Sequence, residues 1–120
     1  MSSRRILIVE TNEFSRRNVA LFFMQHGYRP FEADSAQTAL ELLAREDFYA
    51  VITDFSLEGK VTGLDILRCY EQVSPGGRKI LVSDTPNSAQ SDGVYCLQRP
   101  LSLSNLLLAV KNRKSAGKGH

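Results

Sequence analysis

The sequence is poor in cysteine and has no long apolar run, and each shortage argues against a class of protein. Its two cysteines, Cys69 and Cys96, are too few for the disulfide framework of a small secreted domain, and no CxxC pair is present. No apolar stretch approaches the roughly 20 residues that a membrane-spanning helix needs. The first apolar run ends at Glu10 and is too short for the core of a signal peptide. We therefore expect a soluble, cytoplasmic protein in which both cysteines are small core residues.

Charge of neither sign dominates the chain. Fifteen lysines and arginines against 13 acidic residues give a formal net charge of +2, and four of the cations lie in the final segment KNRKSAGKGH. A short basic segment after a helix is either a solvated end or a contact to nucleic acid, and we favour the first. With 120 residues, of which 42% are hydrophobic, the chain is long enough for one domain with a single core.

Short apolar runs alternate with segments of helical periodicity. Runs such as ILIV, AVIT and KILV are continuous rather than alternating, which is typical of strands buried on both faces. The second run, RPFEA, is a weaker strand because it contains Pro30. The predicted strands are residues 6–9, 29–33, 49–54, 79–83 and 94–97. The alternation predicts an α/β fold with a doubly wound, five-stranded parallel sheet.

The predicted helices have apolar residues at i, i+3 and i+4. They begin at Glu13, after a cap at Asp34 or Ser35, near Gly63, and after a cap at Ser102 or Ser104. The link between the fourth and fifth strands is short, since only residues 84–93 lie between them. An average helix alone takes about 11–12 residues. The fourth of the helices expected in such a fold is therefore predicted to be a single turn or missing.

Polar side chains follow four of the predicted strands. Glu10 follows the first strand, Asp54 ends the third, Ser83 ends the fourth, and Arg99 follows the fifth. Because ligands bind outside the carboxyl ends of the strands in open α/β sheets, we expect these groups to converge on one edge. An acid at a strand end is by itself commonly an ordinary loop residue. The polar residues at the ends of the three other strands favour a reaction centre at Asp54 instead.

These segments resemble the receiver domain of bacterial two-component response regulators, from Arg5 to about Val110. The segments ILIVETNE, VITDFSLEG, ILVSD and LQRP follow the order of the family's acidic pair, phosphoacceptor Asp, Thr or Ser, and Lys-Pro. TGLDIL is similar to the helix opening that follows the phosphoacceptor loop. The resemblance implies a flavodoxin-like receiver domain over residues 1–112, followed by a basic flexible tail at 113–120.

The resemblance also implies residue roles and partners. Asp54 would be the phosphoacceptor and form an aspartyl phosphate, Ser83 and Arg99 would bind the phosphoryl oxygens, and Glu10 and Asp54 would hold Mg²⁺. The implied donor is a histidine kinase or a phosphotransfer protein, and the implied target is a downstream protein effector. We expect no direct contact with nucleic acid or a membrane. A homodimer is compatible with the resemblance.

Several positions depart from the family pattern. Thr11 replaces the second acid of the pair, and Glu10 is one methylene longer than the usual Asp, so Mg²⁺ affinity should fall. Glu13 is a candidate substitute, although an acid in a first helical turn commonly serves the helix N-terminus. Arg99 replaces a Lys, which is not a conservative exchange at a tight site. Its guanidinium could pair directly with Asp54 or with Glu10.

Two further departures concern the switch and the loop. Cys96 occupies the position of the family's switch aromatic, and Tyr95, one residue earlier, is expected on the opposite face of the strand. Glu58 stands where a Pro is usual. Pro100 keeps the family's X-Pro bond, which is cis there.

Two functions remain open, and we favour the first. The first is a receiver that accepts a phosphoryl group on Asp54 and thereby switches partner binding. The second is a pseudo-receiver that binds a protein partner without phosphorylation. An aspartyl-phosphate phosphatase is less favoured, because its second acid would stand at position 56, which is Ser56. A dinucleotide domain is also disfavoured, because no GxGxxG follows the first strand. We expect no enzymatic turnover.

Overall fold

A computed structural model describes residues 4–85 and 93–111, and its central layer is a five-stranded sheet. All four strand pairs are parallel, and the strand order is β2-β1-β3-β4-β5. The strands are β1 (Arg5–Val9), β2 (Arg29–Ala33), β3 (Ala50–Asp54), β4 (Arg78–Ser83) and β5 (Val94–Gln98). The predicted doubly wound parallel sheet is confirmed.

Within residues 4–85 and 93–111, four helices connect or follow these strands. They are α1 (Glu13–Gln25), α2 (Ala36–Arg45), α3 (Gly63–Val73) and α4 (Leu103–Lys111). Helix α1 ends where Gly27 adopts a φ of 87°, a left-handed conformation that glycine takes without steric cost. The predicted short or missing helix between β4 and β5 falls on residues 86–92, and the predicted tail on 113–120. Both predictions therefore lie outside the described residues.

Serine hydroxyls select the starts of two helices. The backbone N–H of Thr38 donates to Ser35 Oγ at 3.2 Å, so Ser35 rather than Asp34 caps α2. The N–H of Asn105 donates to Ser102 Oγ at 3.2 Å, so Ser102 caps α4. Each cap satisfies a backbone donor that the first helical turn leaves without an intrahelical partner.

Apolar side chains fill both faces of the sheet. Ile6 and Ile8 pack on the side of α1 and α4, whereas Leu7 and Val9 pack on the side of α2 and α3. Successive strand residues point to opposite faces, so a run that is apolar throughout requires two covering layers. Among the described helices, none is long and apolar enough to cross a membrane.

The structure also tests the predicted orientation of Tyr95 and the predicted burial of the two cysteines. Tyr95 packs against the α1/α4 side of the sheet and Cys96 against the α2/α3 side, so the predicted opposite orientation is confirmed. The prediction that both cysteines are core residues is wrong for Cys69, which is exposed, while Cys96 is half-buried. The buried face of α3 is formed by Ile66, Leu67 and Tyr70, and Cys69 lies off that face.

Candidate functional site

The carboxyl edge of the sheet brings together the residues predicted from the strand ends. Glu10 directly follows β1, and Asp54 is the last residue of β3. The strand register pairs Ser83 with Gln98, which places Arg99 just beyond the end of β4. Asp54 and Ser83 are both buried, with 9% and 7% of their surface exposed. Four distant segments therefore deliver their polar groups to one edge.

Arg99 is the centre of this edge. Its Nη2 donates to Asp54 Oδ1 and, at 3.0 Å, to Glu10 Oε1. Its Nη1 donates to Asp84 Oδ1 at 3.3 Å. Both ion pairs that the sequence left open, to Asp54 and to Glu10, are present. One guanidinium thus bridges three carboxylates, and we call these four residues the Arg99 cluster.

Asp84 is the member that sequence reasoning missed. It directly follows Ser83 and lies within the segment ILVSD, but its side chain is largely exposed. Ser83 explains how it reaches Arg99. The Ser83 hydroxyl donates to the Thr85 carbonyl at 2.9 Å and accepts from the Thr85 N–H at 3.0 Å, which forms a tight local turn. This turn carries Asp84. The sign of such a turn in the sequence is the serine at the end of the strand, which does not by itself indicate the contact of Asp84 with Arg99.

The electrostatics of the cluster follow from burial and from an excess of acid. The pKa of Asp54 is raised to about 6, mainly because the carboxyl is buried and in part because of the neighbouring Glu10, while the hydrogen bond and charge of Arg99 oppose the shift. Burial by itself lowers the pKa of Arg99. The three carboxylates outweigh that effect and raise its pKa above the usual value. With all groups ionised, three negative charges face one positive charge.

Glu10 is held by contacts on both sides of its loop. Its Oε2 accepts from the Asn12 N–H at 2.9 Å, and Asn12 in turn caps α1 through Ser15. Arg16 is buried at 9% exposure and donates to the Glu10 carbonyl oxygen at 2.9 Å. Its Nε donates to Glu32 of β2, also at 2.9 Å. The loop after β1 is therefore anchored to both α1 and β2.

The loop around Asp54 is fixed by a close backbone approach. The Phe55 N–H donates to the Val82 carbonyl at 2.8 Å, and the Gly63 N–H donates to the Phe55 carbonyl at 2.8 Å. A Cβ on Gly63 would overlap the Asp54 carbonyl oxygen. Helix α3 begins at this glycine, and Thr62 and Asp65 form a reciprocal capping box at its start. Only glycine allows this helix to begin against the acid-bearing strand.

The residues present do not fit a Mg²⁺ site. Glu10 and Asp54, the implied ligands, both accept hydrogen bonds from Arg99, and Thr11 replaces the second acid. Glu13 is exposed and lies 3.8 Å from Arg17 instead. Within residues 4–85 and 93–111, no group of three or more His, Cys, Asp or Glu side chains is arranged to hold a metal ion. Mg²⁺ requires near-octahedral oxygen donors, and these two carboxylates are bonded to a guanidinium.

Fold and site together define a class of protein. A doubly wound parallel sheet of order 2-1-3-4-5 is the flavodoxin-like arrangement, in which functional groups collect at the carboxyl edge. The chain belongs to the response regulator receiver domain family, whose family model matches residues 6–111.

Individual relatives agree with this assignment. The putative response regulator NtrX-like of Rickettsia felis is 29% identical to the chain over 118 residues, which cover 92% of the chain and 25% of the relative. The chain thus spans about a quarter of that protein's length.

Solved structures share the fold. A response regulator receiver protein from Sinorhizobium medicae superposes with a TM-score of 0.86 at 17% identity, covering 93% of this chain and 94% of that one. A response regulator from Burkholderia pseudomallei, solved with a phosphorylated aspartic acid and a calcium ion, superposes with a TM-score of 0.80 at 20% identity. That match covers 92% of this chain and 68% of the other.

Proposed function

We propose that this receiver domain acts in two-component signalling as a pseudo-receiver, which binds a protein partner without being phosphorylated. The bridging of Glu10, Asp54 and Asp84 by the single guanidinium of Arg99 carries the proposal. The partner would be the downstream effector, or a histidine kinase or phosphotransfer protein upstream. No catalytic turnover is part of the proposal.

The charge balance of the Arg99 cluster supports it. Phosphoryl transfer depends mostly on positioning and on neutralising the negative charge spread over the phosphoryl oxygens. A phosphoryl group on Asp54 would add charge beside Glu10 and Asp84, where one cation already serves three carboxylates. The donor set that would hold a compensating Mg²⁺ does not fit. The Asp54 oxygen bonded to Arg99 is also engaged rather than open to a phosphodonor.

A second candidate function is phosphate acceptance at Asp54. Two observations favour it: the buried carboxylate lies beside a cation, and a serine ends the neighbouring strand. With a pKa of about 6, the carboxylate is mostly ionised at pH 7.5. Its oxygen would then attack the phosphorus of a phosphohistidine. The P–N bond would break, and the imidazole would leave with the electron pair and take up a proton.

Intact mass spectrometry separates the two candidates. The chain is incubated at pH 7.5 with acetyl phosphate and a series of Mg²⁺ concentrations, beside a receiver domain that accepts phosphate under the same conditions. We expect no phosphoryl adduct on the wild-type chain while the reference protein is modified. An adduct on the wild type that is absent from Asp54→Asn would overturn the proposal and establish the second candidate. Circular dichroism of both chains excludes unfolding as the cause.

A further inference from the structure

We propose that the amino edge of the sheet, opposite the Arg99 cluster, binds the phosphodiester backbone of nucleic acid. This basic edge is defined by Arg4, Arg29, Arg45, Arg78 and Lys111. The inference does not depend on how Asp54 is used. It departs from the expectation of no contact with nucleic acid, which came from the resemblance and did not consider the charge of this edge.

Arg29, Arg4 and Arg78 stand at the amino ends of β2, β1 and β4, and Tyr49 stands at the amino end of β3, which lies between β1 and β4. The Arg29 N–H donates to the Arg4 carbonyl at 2.9 Å, the Tyr49 N–H to the Arg5 carbonyl at 2.8 Å, and the Arg78 N–H to the Tyr49 carbonyl at 3.3 Å. The row therefore crosses four strands in the order β2, β1, β3 and β4. At about 4.8 Å between neighbouring strands, it extends about 14 Å.

Helix ends add two cations to the same edge. Arg45 is in the last turn of α2 and Lys111 is in the last turn of α4. Since each helix runs back antiparallel to the strand before it, both last turns lie at the amino ends of the strands. Arg4, Arg29, Arg45 and Lys111 are exposed, and Arg78 is half-buried.

Aromatic rings rather than acids hold two of these arginines. The guanidinium of Arg4 lies 4.5 Å from the centroid of the Tyr28 ring, and that of Arg78 lies 4.6 Å from the centroid of Tyr49. The two tyrosine rings are 6.3 Å apart, so they form a continuous row with a guanidinium at each end. A cation–π contact orients the guanidinium without cancelling its charge. The positive charge therefore remains able to attract an anion.

The charge of the basic edge is not compensated. In the part of the chain that the structure describes, none of its five cations lies within 4.0 Å of a carboxylate oxygen. Arg16, Arg17, Arg68 and Arg99, in contrast, all form salt bridges. Two acids follow Arg45 directly in the sequence: Glu46, whose Oε1 lies 3.6 Å from Nε of the neighbouring Arg5, and the exposed Asp47. A positive surface thus lies opposite the acidic Arg99 cluster, although the net charge of the whole chain is only +2.

The composition of this surface favours phosphate over carboxylate ligands. Four of its five cations are arginines, whose planar N–H fork binds phosphate oxygens in pairs. A phosphodiester chain offers one charge at every unit, whereas a protein segment would need an uninterrupted acidic run to match the row. After Lys111 the sequence NRKSAGKGH adds three further cations and no acid. An acidic protein segment is the competing occupant, and the experiment decides between them.

Fluorescence anisotropy with a labelled DNA duplex of arbitrary sequence tests the proposal on the full chain. The edge variant combines Arg4→Gln, Arg29→Gln and Lys111→Gln. A matched control combines Arg17→Gln, Lys60→Gln and Arg68→Gln, which removes the same charge from exposed positions elsewhere. A third variant combines Arg113→Gln, Lys114→Gln and Lys118→Gln.

We expect affinity that falls steeply with salt and is at least tenfold weaker in the edge variant. Three lost phosphate contacts should reduce the slope of log affinity against log salt by about 3. A slope difference of about 3 corresponds to a difference of about 60-fold in affinity loss between 50 and 200 mM salt. The matched control should bind within about twofold of the wild type.

Four results would overturn the proposal: no salt-dependent binding at 20 mM salt, equal losses in the edge variant and the matched control, a loss confined to the third variant, or stronger competition by a glutamate-rich peptide than by unlabelled duplex. Circular dichroism and the melting temperature of each variant show whether it is folded.

Discussion

The guanidinium of Arg99 lies in hydrogen-bond contact with the carboxylate of Asp54, across 45 residues of sequence. The contact closes the carboxyl edge of the sheet, because the same nitrogen also reaches Glu10. The buried acid and the neighbouring cation therefore stabilise each other, so that a change in one should alter the stability of the fold through the other.

Removal of the guanidinium should destabilise the fold. In Arg99→Gln, Asp54 and Glu10 lose the cation that both contact, and a buried acid without its charged partner is costly. Because about a third of the Arg99 side chain is exposed, we expect a loss of only about 1–2 kcal/mol in the free energy of unfolding, measured by urea denaturation. Arg68→Gln, which removes an exposed pair with Asp65 on α3, should cost less than about 0.5 kcal/mol. Equal losses in the two variants would contradict this role of the cluster.

The raised pKa of Asp54 makes a signed prediction about pH. The folded chain holds a proton on Asp54 up to a pKa of about 6, whereas the unfolded chain releases it near the ordinary aspartate pKa of 3.8. Since the folded state binds more protons in this window, the contribution of Asp54 to stability decreases as the pH rises through it. Asp54→Asn carries no such ionisation. As the pH rises from 4 to 7.5, the free energy of unfolding of Asp54→Asn should therefore increase by about 1–3 kcal/mol relative to that of the wild type.

Urea denaturation of both chains at several pH values measures that difference. The comparison with Asp54→Asn removes the pH dependence of other groups, such as Asp65 and Glu71, whose pKa values are lowered by their hydrogen bonds. A relative stability that is flat with pH, or that changes in the opposite direction, would contradict the raised pKa.

Arg16 and Arg17 offer a matched pair, because both donate to the same oxygen of Glu32. Arg16 is buried and also donates to the Glu10 carbonyl, while the Arg17 side chain is 63% exposed. Arg16→Gln leaves Glu32 without its buried partner and frees the loop that carries Glu10, so we expect a loss of about 3 kcal/mol. Arg17→Gln should cost less than about 1 kcal/mol. Thermal unfolding of the two variants measures the two losses. Equal losses would show that burial does not decide how strongly each arginine pairs with Glu32.

The sequence was sufficient for the sheet and for most of its edge. Continuous apolar runs such as Ile6–Val9 require two covering layers, and the strand ends then place Glu10, Asp54 and Arg99 on one side of the sheet. Asp84 could not be predicted, because its contact depends on a side-chain turn at Ser83 rather than on periodicity. The sequence left open whether Arg99 pairs with Asp54 or with Glu10, and only the geometry showed that it pairs with both. Long-range ion pairs lack the regular spacing that identifies helices and strands.

If Thr11 and Arg99 are the reasons why Mg²⁺ does not fit, their replacement should create a site. The family pattern has an acid at the position of Thr11 and a Lys at that of Arg99. Thr11→Asp adds a carboxylate beside Glu10, and Arg99→Lys replaces the planar fork by a compact ammonium that cannot bridge three acids in the same way. We expect Mg²⁺ binding to the double variant to be at least tenfold tighter than to the wild type, measured by calorimetry at pH 7.5.

The double variant needs a control that separates the charge of the new side chain from its size. Thr11→Asn combined with Arg99→Lys adds a side chain of similar size without the carboxylate, and it should bind Mg²⁺ more weakly than the acid-bearing variant, because hard cations prefer charged oxygen donors. Acetyl phosphate then tests whether the restored cation site also allows transfer to Asp54. If the wild-type chain binds Mg²⁺ as tightly as the double variant, the guanidinium of Arg99 does not exclude the ion. The charge balance of the Arg99 cluster would then no longer support a pseudo-receiver.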